Sequence, residues 1–133
     1  MKTTLAGVVI GVVVLLYAAP LFGHHSFSAE FDDKKPIVIK GTLTKLELTN
    51  PHSWLYLNVK DEKTGKSAIW GVETSAPAAL IRAGGDRKTL AVGVQLIVDG
   101  WLARDWSQTV NGRTIKTADG KAINAGTSNT NAQ

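Results

Sequence analysis

The stretch IVIKGTLTKLEL, residues 37–48, decides how the chain folds. Ile37, Ile39, Gly41 and Leu43 share one parity of an alternating pattern, whereas Leu46 and Leu48 share the other. Alternation of this kind marks a strand with one face on a core. A slip of one residue turns the second half inside out unless an extra residue is accommodated, which is what a β-bulge does. A glycine in mid-strand, here Gly41, commonly marks a sharp bend. Residues 37–48 therefore predict one long, bent strand, entered after Pro36.

Working outward, TNP (49–51) is a turn, because the residue before proline avoids helix and asparagine favours turns. HSWLYLNVKD (52–61) follows, with Leu55, Leu57 and Val59 on one face and His52, Trp54, Tyr56 and Asn58 on the other. EKTGK (62–66) turns the chain into a third strand, SAIWGVET (67–74). The period then changes. Ser75 suits an N-cap, Pro77 sits in a first turn and Gly84 lies where a helix stops, so APAALIRA (76–83) predicts a helix of about two turns. TLAVGVQLIVDGWLARD (89–105) predicts a loop and a fourth strand, with Leu96, Val98 and Leu102 alternating about Gly100. VNGRTIKTADGKAI (110–123) predicts turns at Asn111-Gly112 and Asp119-Gly120 around a fifth strand. NAGTSNTNAQ (124–133) has almost no apolar surface to bury and is expected to be disordered.

Three strands, a short helix and two strands is the order of an oligonucleotide/oligosaccharide-binding (OB) barrel, in which one bent strand serves two sheets. The expected fold is mainly β: a small five-stranded OB-like barrel over 37–123, with one short helix between strands 3 and 4. A small open sheet with a flanking helix is the rival.

The region before residue 37 has a different character. Lys2 precedes an apolar run from Leu5 to Ala19, the pattern of a secretory signal. With Pro20, Leu21 and Phe22 the run approaches the ~20 residues of a membrane span, so a retained anchor is the alternative. Gly23 is a small residue of the kind found before a cleavage point. Residues 1–23 are thus expected to form a signal helix, and 24–36 an N-terminal arm that begins at His24. The protein is expected to be exported, periplasmic or secreted, and to meet a membrane only through an uncleaved leader. The sequence holds no cysteine, so neither disulfides nor thiolate chemistry are available. Net charge is +4 and falls by one when Lys2 leaves. Its basic residues are scattered among acids, which excludes the basic stripe of a nucleic-acid partner.

Few residues carry chemistry. His24, His25 and His52 are the three histidines. At a free N-terminus the α-amine and ring of His24 chelate one ion together, and a further imidazole from His25 or His52 gives a three-nitrogen set suited to Cu(II). Copper is therefore the expected cofactor; against it stands the plain reading of histidines at a flexible start and a turn. Glu30, Asp32 and Asp33 are further candidate oxygen donors. The face carrying His52, Trp54 and Tyr56 offers an aromatic platform worth roughly 1–3 kcal/mol per stacked ring. Trp70 extends it unless its parity with Val72 turns it into the core. Glu73, just before the helix, is either a partner of the helix dipole or a ligand-contacting acid. No nucleophile elbow, phosphate loop or zinc-protease motif is present, so no enzymatic activity is indicated.

The strings HHSFSAEFD (24–32), KGTLTKLELTNPHSWLYLNVKD (40–61), WGVETS (70–75) and TADGK (117–121) resemble the small exported bacterial proteins of domain-of-unknown-function family 6152. The resemblance covers roughly 24–123 and implies export, a small β-rich fold and no established activity. It singles out His24, His25, Phe27, Asn50, Pro51, His52 and Trp54 as signature positions, which adds Asn50 to the ligand-contacting candidates. Gly23 replaces the alanine usual before the paired histidines, and Leu48 stands near a position where tryptophan is frequent. Three function classes follow: a copper-binding module, a metal-free domain recognising a peptide, glycan or small ligand at Trp54 and Tyr56, and an accessory subunit of an envelope redox enzyme.

Overall fold

The structure is a computed structural model that describes residues 26–127. The expected signal helix, His24 and His25 lie outside the described residues. A one-turn helix α1 (Phe27–Glu30) leads into β1 (Phe31–Glu47), and β2 (Trp54–Lys60), β3 (Ser67–Glu73), α2 (Pro77–Arg82), β4 (Gln95–Ala103), β5 (Thr109–Thr117) and β6 (Ala122–Asn124) follow. Neighbouring strands run in the order β3-β2-β1-β4-β5-β6, and an additional pairing of β3 with β5 turns the sheet into a ring. All pairings are antiparallel except β3–β5, which is parallel over Gly71–Glu73 and Thr109–Asn111.

The long first strand behaves as its pattern predicts. Its first half pairs with β4 and its second with β2, and both partners meet it at Gly41 and Thr42. Leu43 faces Leu57 while Lys45 faces Tyr56, so Thr44 is the extra residue of a bulge. The Thr44 hydroxyl donates to the Tyr56 carbonyl at 2.9 Å. This slip restores the match between the core residues of β1 and those of β2. A side chain at Gly41 would stand 2.7 Å from the Asn58 carbonyl oxygen, so the two backbones come together only without one.

Inside the ring, Ile39, Leu43, Leu55, Leu57, Val72, Leu96, Val98, Val110, Ile115 and Ile123 form one core. Leu80 of α2 belongs to the same core, which docks the helix. The helix closes as expected at Gly84, in left-handed conformation at φ 97°. Gly84 N–H donates to the Ile81 carbonyl and Gly85 N–H to the Leu80 carbonyl, a Schellman ending.

Five expectations need correction. Strand β1 starts at Phe31, because Phe31 pairs with Ala103 and is buried; the charged arm is therefore part of the sheet. Asn111 and Gly112 form no turn but sit buried within β5, where a side chain on Gly112 would stand 2.7 Å from Val72 Cγ1. The helix N-cap is Ala76, with no side-chain cap, and Ser75 is buried one residue earlier. The described strands number six, since β6 follows the Asp119-Gly120 turn. Beyond it, Ala125, Gly126 and Thr127 are buried rather than disordered: Ala125 N–H donates to the Arg113 carbonyl, and its own carbonyl accepts from Ser75 N–H. Backbone pairing, which needs no apolar side chain, holds Ala125, and Gly126 N–H donates to Asn124 Oδ1.

Replacing Gly41 by Ala should force β1 and β2 apart and cost about 1–3 kcal/mol. A urea midpoint lowered at unchanged m-value checks this; an unchanged midpoint contradicts the close approach.

Candidate functional site

The local chain explains why His52 and Glu73 meet. The turn before β2 contains a cis Asn50–Pro51 peptide, and the Thr49 hydroxyl donates to the His52 carbonyl at 2.9 Å. Ser53 N–H then donates to the Ser75 carbonyl at 3.1 Å, and Thr74 N–H to the Ser53 carbonyl at 2.9 Å. These bonds extend the β2–β3 pairing past Trp54 and Glu73, which face each other across the two strands. His52 Nδ1 and Glu73 Oε1 come into direct contact.

Glu73 belongs to the face that points away from the core, yet it is only 5% exposed. The end of the ring covers it. A cleft of about 440 Å³ is lined by Glu73 and Trp54 on one side and by Glu30, Phe31, Ala103 and Arg104 on the other. Arg104 fixes that second wall: its N–H donates to the Glu30 carbonyl at 2.8 Å and its Nε to the Ser28 carbonyl at 2.7 Å. Phe27 packs edge-on against Trp101, with centroids 5.4 Å apart. α1 is thereby clipped to the end of β4.

Burial pushes the Glu73 carboxyl up to about 7, and the negative charge of Glu30 adds to the push. A protonated His52 acts against both. A proton on Nδ1 is donated to the carboxylate, and when the neutral imidazole carries it there the ring lone pair lies on Nε2. An imidazole fixed in this way by a carboxylate is equipped to ligate a metal ion or to accept a proton.

The aromatic face is divided. Trp54 lines the cleft, half-buried, and its ring lies over Gly71, where a side chain would stand 3.6 Å from it. Tyr56 is engaged elsewhere. Its hydroxyl donates to Glu47 Oε2 at 3.0 Å, and Lys45 bridges to Glu47 Oε1 at 2.5 Å. Lys45 and then Tyr56 hold the Glu47 carboxyl below its usual range, while burial and then Glu47 push the Tyr56 phenol up. Trp70 does not join this face. It stands opposite Leu57 and packs against the core, as its parity with Val72 allows. Asn50 is exposed in the turn and does not line the cleft.

The sequence reading missed Arg104, Phe31 and Trp106. Arg104 carried no local signal, whereas the four-residue spacing of Phe27 and Phe31 was a helical sign. Trp106 lies between two cleft-lining residues, Asp105 and Ser107, and is left-handed at φ 60°, a conformation that costs roughly 1–2 kcal/mol for a bulky residue. Lys35 Nζ lies 3.4 Å from the Trp106 ring centroid.

Set against known proteins, residues 12–112 match a family model described as a family of unknown function, DUF6152. The chain belongs to that family. The DUF6152 match takes in His24, His25, His52, Glu73 and Arg104 in one span. No curated protein and no solved structure matches the chain. Among the described residues, no three His, Asp or Glu side chains converge on one metal position. His52 would therefore need ligands from the histidines that precede the described residues.

The Glu73 carboxyl titrates higher in the folded chain than its ordinary 4.5, so the native state holds the proton more tightly than the unfolded one. Its contribution to stability is present below about 4.5 and is lost as pH rises to about 7. In chelator, wild type should lose more stability than Glu73→Gln between pH 4.5 and 8, read as urea midpoints. Parallel curves contradict the burial of an ionisable group here.

Proposed function

We propose that the protein is an exported, periplasmic metal-binding module, with copper as its ion. The observation that carries this is the contact of His52 Nδ1 with the nearly buried Glu73 carboxylate. Metal-ligating histidines commonly spend their second ring nitrogen in just such a bond, which fixes the tautomer and raises ligand basicity. His52 Nε2 supplies one nitrogen, and the α-amine and ring of His24 supply two more, or one of them with His25. Neutral nitrogen ligands of this kind favour Cu(II) over the other divalent ions of the first row. Glu30, six residues from His24, already lines the cleft that holds Glu73, which supports an arm short enough to bring the two together.

The scaffold of this reading is an OB-like barrel. Going round the ring, the order β1-β2-β3-β5-β4 returns to β1 with a parallel β3–β5 closure, which supports the expectation from element order. Export rests on the apolar leader and on Gly23. A second reading, a metal-free site for a small ligand, is favoured by one observation: Trp54 forms a wall of the cleft. Tyr56 is no longer part of it, because its hydroxyl is bound to Glu47.

The exported protein should begin at His24 by mass spectrometry. Titrated with Cu(II), it should bind more tightly than His24→Ala or His52→Ala, and Glu73→Gln should weaken binding by about 10–100-fold through the orientation of His52. Equal affinity in all four proteins rejects the metal site. Retained copper binding with loss of a ligand-induced fluorescence change in Trp54→Ala would give the cleft a second ligand.

A further inference from the structure

A separate surface lies along the first half of β1. Pro36 to Lys40 pair with β4 on one side, while β2 joins β1 only from Gly41 onward. Among the described residues, the other edge of Ile37–Lys40 therefore has no strand partner. A groove of about 600 Å³ follows this edge, bounded by Val38 to Thr42 on one side and by Asn58 to Lys60 of the β2–β3 hairpin on the other.

The side chains around it have a consistent character. Val38 is 67% exposed and Ile97 39%. In the strand register Lys40 stands opposite Ile97, and Ile97 opposite Lys116, so two lysines flank one exposed apolar residue. Lys60 adds a third positive charge beside the groove. None of these three lysines forms an ion pair among the described residues. Three acids lie nearby, and two of them are engaged: Asp99 is bound to Arg113, and Asp61 accepts from the N–H groups of Lys63 and Thr64, which leaves Glu62 at the groove itself.

We propose that this edge docks an acidic, extended peptide segment of a partner protein by strand addition. The partner's backbone pairs with the free edge of Ile37–Lys40, its apolar side chains cover Val38, and its carboxylates meet Lys40 and Lys60. Strand addition draws affinity from main-chain hydrogen bonds and specificity from alternate side chains. Lysine and proline on an edge discourage pairing between like copies, and here Pro36 and Lys40 do so, while the same positive charge attracts an acidic strand. An anionic lipid surface would also meet lysines among apolar residues, but it has no use for an unpaired strand edge, and a peptide does.

The test uses the isotopically labelled exported protein, with the synthetic peptide EVEVEVE, blocked at both ends, as probe. Amide shifts should concentrate at Ile37–Lys40 and at Asn58–Lys60. The affinity should fall by about tenfold or more in the double variant Lys40→Glu, Lys60→Glu, and a KVKVKVK peptide should bind far more weakly. Unchanged affinity in the double variant, or shifts centred elsewhere, overturns the proposal. Vesicles containing phosphatidylglycerol that reproduce the shifts while the peptide does not would also overturn it and assign the face to a membrane. Glu73→Gln should bind the peptide like wild type, since this edge and the copper site are separate.

Discussion

Three residue pairs hold the architecture together. Without the pairing of Gly71–Glu73 with Thr109–Asn111, the six strands would form an open sheet with its apolar face in water. With it the sheet meets itself, and the leucines, isoleucines and valines of all six described strands share one interior. Closure requires backbones to come very near one another. A side chain on Gly100 would stand 2.0 Å from the Asn111 carbonyl oxygen, far inside contact distance, and Gly112 is confined against Val72 in the same region. Glu73 is the last residue of the closing pair, so the contact that seals the core also fixes the acid beside His52.

That end of the ring differs chemically from the rest. Among the described residues the buried polar ones are Ser53, Glu73, Thr74, Ser75, Asn111 and Thr127, and four of them lie in or next to β3 and its partners at the closure. Among the described residues, the side-chain oxygens of Ser53, Ser75 and Asn111 have no hydrogen-bond partner. Burying polar groups without partners opposes stability, so these positions are not explained by core formation alone. The fold divides its labour: an apolar interior supplies stability, and a polar seam beside the β3–β5 pairing holds a carboxyl whose titration burial pushes up to about 7.

Much of this was legible in the sequence because period-two patterns survive translation into strands. The parity slip after Leu43 announced the bulge, and the faces of β2 followed its alternation residue by residue. Gly84 marked the helix end. What stayed hidden was long-range. Asn111-Gly112 looks like a hairpin turn locally, and only the neighbours brought by closure require it to be flat, buried strand. Ala125 stands in a stretch with the composition of a tail, but its backbone pairing with Arg113 and Ser75 leaves no trace in side-chain hydrophobicity. His52 was visible as a candidate; its bond to Glu73, twenty-one positions away, was not, because the two meet only through the backbone ladder that Ser53 and Thr74 complete. Arg104 likewise acts through main-chain carbonyls of α1, contacts that no motif encodes.

The single extra residue at Thr44 has a wider reach than its size suggests. It works as a phase corrector between two stretches of chain written in opposite frames. A lineage that lost it would have to exchange inner for outer residues at every later position of that strand, Lys45 and Leu46 first. Glu47 would then leave Tyr56, and Trp54 would lose its neighbour across the ladder. Length in this segment is thus under tighter restraint than side-chain identity, and drift should be freer in what the residues are than in how many there are.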